Sequence, residues 1–109
     1  MANKYKVLGQ SAPSATTNTD VYTVPSARES VISTIVIANR ADTAGTFRLA
    51  VRPNGAAIAD QHYLAYDIPI AANDSTTLTL GITVDATDVI TFYASSANMS
   101  INVFGSEIS

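Results

Sequence analysis

The segment Thr77-Leu78-Thr79-Leu80-Gly81-Ile82-Thr83-Val84 decides the fold class. Leu78, Leu80, Ile82 and Val84 alternate with Thr77, Thr79, Gly81 and Thr83, and a period of two sends successive side chains to opposite faces of a strand. One face reads as core and the other as threonine, with Gly81 a bulge position. Asp85-Ala86-Thr87-Asp88 then reads as a tight hairpin connection into residues 89–94, and Ser95-Ser96-Ala97-Asn98 as another into residues 99–104. The C-terminal third is thus expected to be an antiparallel meander.

Upstream, Phe47-Arg48-Leu49-Ala50-Val51-Arg52 alternates in the same way, with Phe47, Leu49 and Val51 inward and both arginines outward. Residues 31–39 are apolar on both faces (Ile32, Val36 and Ala38 against Val31, Ile35 and Ile37), the pattern of a strand covered on both sides. Pro25 ends the run 19–24, Pro69 marks 63–70 as an edge strand, and Pro53-Asn54-Gly55 is a turn. The first run, 4–10, places Tyr5, Val7 and Gly9 on one face and Lys6 and Leu8 on the other. About eight short strands and no helical spacing predict an all-β fold: a two-sheet antiparallel β-sandwich, jelly-roll or Ig-like. Thirteen Thr, ten Ile and nine Val agree, since β-branched side chains suit a pleated surface.

At 109 residues the chain is read as a single domain spanning 1–109. The polar, small-residue composition of 1–18 and 105–109 marks candidate flexible arms. Charged residues make up 14% of the chain, against about 25% in typical soluble domains, and six bases against nine acids argue against nucleic-acid binding through phosphates. With no cysteine, thiolate catalysis and Cys-based zinc sites are excluded. No run approaches a membrane span, and the opening residues hold no apolar signal segment, so no membrane association or export is expected.

Chemistry-bearing residues are few. The five glycines stand too far apart for a phosphate-binding loop. His62 is the sole histidine; a metal site there would need Asp60 or Asp67, and the plainer reading is a polar residue at a strand start. No serine stands in a nucleophile-elbow motif for a triad with His62. Asp85 and Asp88 read as turn residues rather than calcium ligands. Asn73 and Asn98 fall in glycosylation-type tripeptides, which without an export signal are chance matches. No catalytic residue, cofactor or metal is therefore assigned. Tyr63, Tyr66 and Tyr93 suggest an aromatic platform for sugar, but Tyr63 and Tyr66 stand three apart on one strand and are expected on opposite faces. Arg48 and Arg52 share an outward face, either solvated or meeting acids of a neighbouring subunit. The interface candidates are Arg48, Arg52, Tyr63, Tyr93 and Phe104. A surface short of ions is a solubility risk in a monomer but is readily desolvated in an assembly, so a homo-oligomer is expected.

Lys6-Val7-Leu8-Gly9-Gln10, Tyr22-Thr23-Val24-Pro25, the strand from Ser33 to Arg40, His62-Tyr63-Leu64-Ala65-Tyr66-Asp67 and Phe104-Gly105-Ser106-Glu107-Ile108 together resemble a family of small virion structural proteins of tailed bacteriophages of the marine and cyanobacterial type. The resemblance implies a non-enzymatic protein located in the virion after synthesis in the bacterial cytoplasm. It would assemble with itself and other virion proteins, as a tail, neck or fibre accessory or a head decoration. The alternative is a carbohydrate-binding module reading a host glycan at a fibre or baseplate tip.

Overall fold

A computed structural model describes residues 5–79 and 81–108. Among the described residues nine strands follow in order: β1 (Tyr5–Ser11), β2 (Thr19–Thr23), β3 (Glu29–Asn39), β4 (Gly45–Arg52), β5 (Tyr63–Ile70), β6 (Ser75–Leu78), β7 (Ile82–Val84), β8 (Val89–Ala94) and β9 (Met99–Ile108). One sheet runs β1-β9-β3-β6, with β7 also paired to β3; the other runs β2-β8-β4-β5. All pairings are antiparallel. If β6 and β7 are counted as one interrupted strand, this is the strand order of an eight-stranded jelly roll.

The inner faces interdigitate as the alternation dictates. Ile32, Ile35, Ile37, Met99, Ile101 and Val103 from the first sheet meet Phe47, Leu49, Ile90 and Phe92 from the second, all fully buried. Each such side chain contributes about 1.5–3 kcal/mol by leaving water. The Phe47 and Phe92 rings lie 6.2 Å apart at the centre. Leu78, Ile82 and Val84 do turn inward, while Thr77, Thr79 and Thr83 stay exposed. The run 77–84 is not continuous, however. It breaks at Gly81, whose φ of +60° suits a residue without a Cβ, and the expected place of Leu80 lies outside the described residues.

Three expectations are corrected. The C-terminal third is not a meander: β8 lies in the opposite sheet from β7 and β9, so both connections cross the sandwich. Four residues can span either the ~4.8 Å between paired strands or the ~10 Å between sheets, and their turn chemistry is the same. The two faces of β3 are also reassigned. A bulge between Ile32 and Thr34 adds a residue and reverses the alternation, putting Ile32 on the inner face with Ile35 and Ile37 and leaving Val31, Val36 and Ala38 half-buried on an open outer face. Finally, part of each candidate arm is paired strand rather than a free segment. Tyr5–Ser11 is an edge strand on β9, and residues 105–108 continue β9 between β1 and β3. Residues 1–4 and 109 lie outside the described residues.

The two chain ends are joined by ions as well as by the ladder. The Glu107 carboxylate receives Lys6 Nζ at 2.7 Å and Arg28 at 3.5 Å, and Tyr22 Oη donates to it at 2.7 Å. With its own proton so committed, Tyr22 accepts from the buried Ser30 hydroxyl at 2.7 Å. The bonds from Lys6 and then Tyr22 hold the Glu107 carboxyl below its ordinary range, whereas burial pushes the Tyr22 phenol up to about 12. A carboxylate depressed in the folded state stabilises above its unfolded pKa, about 4.3, and that stability is lost as pH falls through the folded value. The melting temperature is therefore expected to hold between pH 7 and about 5 and to fall below about 4. Glu107→Gln should flatten the acid limb in calorimetry; an unchanged limb would mean that other carboxylates set it. The raised phenol acts in the opposite direction, its contribution being lost above pH 10 as unfolded tyrosines ionise.

Candidate functional site

The outer face of the β2-β8-β4-β5 sheet gathers the side chains with the most chemistry. Arg48 on β4 is the Cα partner of Tyr93 on β8, and its guanidinium carbon lies 4.3 Å from the Tyr93 ring centroid and 4.2 Å from that of Tyr66 on β5. Its Nε donates to Asp67 Oδ1 at 2.7 Å and its terminal nitrogen to Oδ2 at 3.4 Å, a two-pronged pair. That bond, against a smaller effect of desolvation, raises the Arg48 pKa and keeps the guanidinium charged. Tyr63 meets Tyr66 edge to face, with centroids 4.9 Å apart.

Tyr63 and Tyr66 therefore share a face, contrary to the expectation from their spacing. Leu49 pairs with Ala65 while Ala50 pairs with Tyr63, and Phe47 pairs with Ile68, so β5 carries extra residues on both sides of Ala65. Asp67 takes a φ of +52° at the second irregularity. The bulged strand turns Tyr66 and Asp67 onto Arg48. The only sequence signal was weak: aspartate is among the few residues that tolerate the left-handed region.

Arg52 lies on the same face but has separate partners within the chain. It bonds Asp20 at 2.7 Å, Thr91 at 2.9 Å, and the carbonyls of Gly55 and Ala56 at 3.2 and 3.0 Å. The acids facing Arg48 and Arg52 thus belong to this same chain. The adjacent cavity, lined by Asn18, Asp20, Arg52, Ile58 and Thr91, measures about 210 Å³, below the ~300–1,000 Å³ of ordinary ligand pockets. Phe104, the fifth interface candidate, is on the other sheet's outer face, opposite Val7 and Thr34.

The remaining polar candidates hold loops. His62 Nδ1 accepts from the Ala59 amide at 3.0 Å just before β5. Asp88 accepts from the Asp85 and Asn54 amides at 2.9 and 2.8 Å, and Asp85 from Ala86 at 2.8 Å, which is turn chemistry. Among the described residues no three His, Asp or Glu side chains converge as metal ligands. No helix among them is long and apolar enough to cross a membrane.

Stacking between two rings and a bidentate acid make Arg48 a clip joining β4, β5 and β8. Arg48→Lys keeps the charge but loses the planar stack and fork. It is expected to lower the melting temperature by roughly 5 °C, and an unchanged value would show that the clip bears no strain of folding. No protein-family model matches the chain, and no curated protein matches it.

Proposed function

We propose that this chain is a non-enzymatic structural protein of a tailed-phage virion, working as a homo-oligomer in the tail, neck or fibres or as a head decoration. The observation that carries this reading is the outer face of the β1-β9-β3-β6 sheet. Residues 7–11, 31–38, 75–78 and 100–106 include no charged side chain, and Val7, Phe104 and Thr34 lie side by side across three strands. Covering such a face strips water from no ion, and short Ser and Thr side chains lose little rotamer freedom. Arginines on the opposite sheet are by contrast already neutralised by Asp20 and Asp67. The jelly-roll order is also used by viral capsid and lectin domains, so the fold alone does not choose a role.

Labelled antibody on intact particles tests the assignment and separates head from tail. The paired substitution Thr34→Glu and Val36→Glu should leave the fold intact and cut incorporation at least about tenfold, since two buried, unpaired charges would oppose docking. Absence of the wild-type chain from purified virus would overturn the reading.

The clustering of Tyr63, Tyr66 and Tyr93 favours a second reading, a glycan platform at a fibre or baseplate tip. Against it, Arg48 already lies against two of the rings. Array binding abolished by Tyr63→Ala or Tyr93→Ala would support the glycan reading; a silent array would support the scaffold.

A further inference from the structure

Among the described residues, the large apolar side chains left most open are confined to two strands. Tyr5 and Val7 on β1 are 79% and 46% exposed, and Leu64, Tyr66 and Ile68 on β5 are 48%, 53% and 39% exposed. Both are edge strands, one from each sheet. They also occupy opposite margins of the sandwich: Gly9 of β1 lies against the Val21 carbonyl of β2, whereas β5 ends the β2-β8-β4-β5 order at the far side. The two patches therefore sit at diagonally opposed corners of one molecule.

The geometry points to a head-to-tail contact between copies of this chain, with β1 of one protomer lying along β5 of the next. Charge selects this pairing over its alternatives. Described β1 carries Lys6 and no acid; β5 carries Asp67 and no base, with Asp60 just before it. The Lys6 and Asp67 side chains each remain about half exposed beyond their intrachain pairs. Two β1 strands brought together would carry Lys6 on both sides and no acid, and two β5 strands Asp67 on both sides and no base. The unlike contact covers both patches with a single kind of interface and brings opposite charges together. The strands match in length at seven and eight residues. Seven residues extend about 23 Å, a contact smaller than the ~800 Å² per partner of a standard interface, but each copy makes it twice. Pro69 and the bulges in β5 leave an incomplete ladder, so side chains carry most of it. A contact between different surfaces of the same chain closes a ring or continues as a filament.

This inference rests on the assembly reading above and names how copies join. Val7→Asp and Leu64→Asp each spoil one patch at an exposed position, with Tyr5→Asp as a second β1 variant, and circular dichroism verifies folding. By light scattering the wild-type chain is expected to form species larger than a dimer, and each variant alone a single 11.4 kDa chain. An equimolar mixture of Val7→Asp and Leu64→Asp should form a dimer and nothing larger, because one sound contact survives between unlike copies. Wild-type assembly that survives either substitution, or a mixture that stays monomeric, would overturn the head-to-tail contact alone. A wild-type chain that is itself monomeric at high concentration would overturn the assembly reading together with it.

Discussion

Gly105→Ala is expected to destabilise the sandwich by roughly 4 kcal/mol, a large part of the ~5–15 kcal/mol that holds a domain of this size. Gly105 lies within β9, the Cα partner of Ile32 on one side and Lys6 on the other. The bulge in β3 tips the Val31 carbonyl over it. A Cβ at Gly105 would overlap that oxygen and stand 3.0 Å from the Val31 carbonyl carbon and 3.1 Å from Ile32 Cα. All three are backbone atoms inside a sheet, so no change of rotamer relieves the overlap, and either the bulge or the β3-β9 pairing must give way. Gly81→Ala is the informative comparison. Gly81 has a φ of +60° but open space around it, so only the backbone cost of about 1–2 kcal/mol applies. Urea unfolding of the two variants should differ by at least about 2 kcal/mol; equal stabilities would show that the β3 bulge yields freely.

Asn39→Leu should cost about 3 kcal/mol although it keeps the same branched skeleton in a site only 2% exposed. Asn39 Nδ2 faces the carbonyls of Thr43, Ile70 and Ala71 at 3.0, 3.2 and 3.2 Å, and Oδ1 accepts the Ala41 amide at 3.0 Å. One side chain thereby fastens the end of β3, the loop into β4 and the end of β5. Leucine would leave these buried groups short of partners, and each such group costs about 1–3 kcal/mol when it cannot reach water. Urea denaturation measures the total, and faster hydrogen exchange at the Ala41 amide localises it. Unchanged exchange would mean that backbone geometry alone holds the loop.

Alternation identified the inward row of β4 and the threonine face of β6 and β7, because side-chain direction follows from position within a strand. Pro69 likewise marked β5 as an edge strand, since a residue without an N–H has no place at the centre of a ladder. Where a strand bulges, the same reasoning fails. Ser33, Leu8 and the irregular stretch around Ala65 are ordinary residue types, and nothing local announces that one of them opposes no partner. Two consequences follow: Ile32 changes face within the core, and at the candidate site Tyr63 packs on Tyr66, one of the two rings against Arg48. Asn39 escaped notice for a related reason. In the sequence it stands only as the last residue of the run 31–39, whereas its four bonding partners come from segments up to 32 residues away.

The residues alone determined a charge-poor chain of short strands, with apolar rows ready to be buried between two sheets. Tertiary structure decided which sheet each strand joined, where the bulges fell and which ions met, as when Lys6 reaches Glu107 and Arg48 is enclosed by Tyr66, Tyr93 and Asp67. The division has a physical cause. Side-chain alternation is set by neighbouring dihedral angles, whereas pairing and register are settled by the combined burial and hydrogen bonding of segments far apart in the chain, which no short stretch contains.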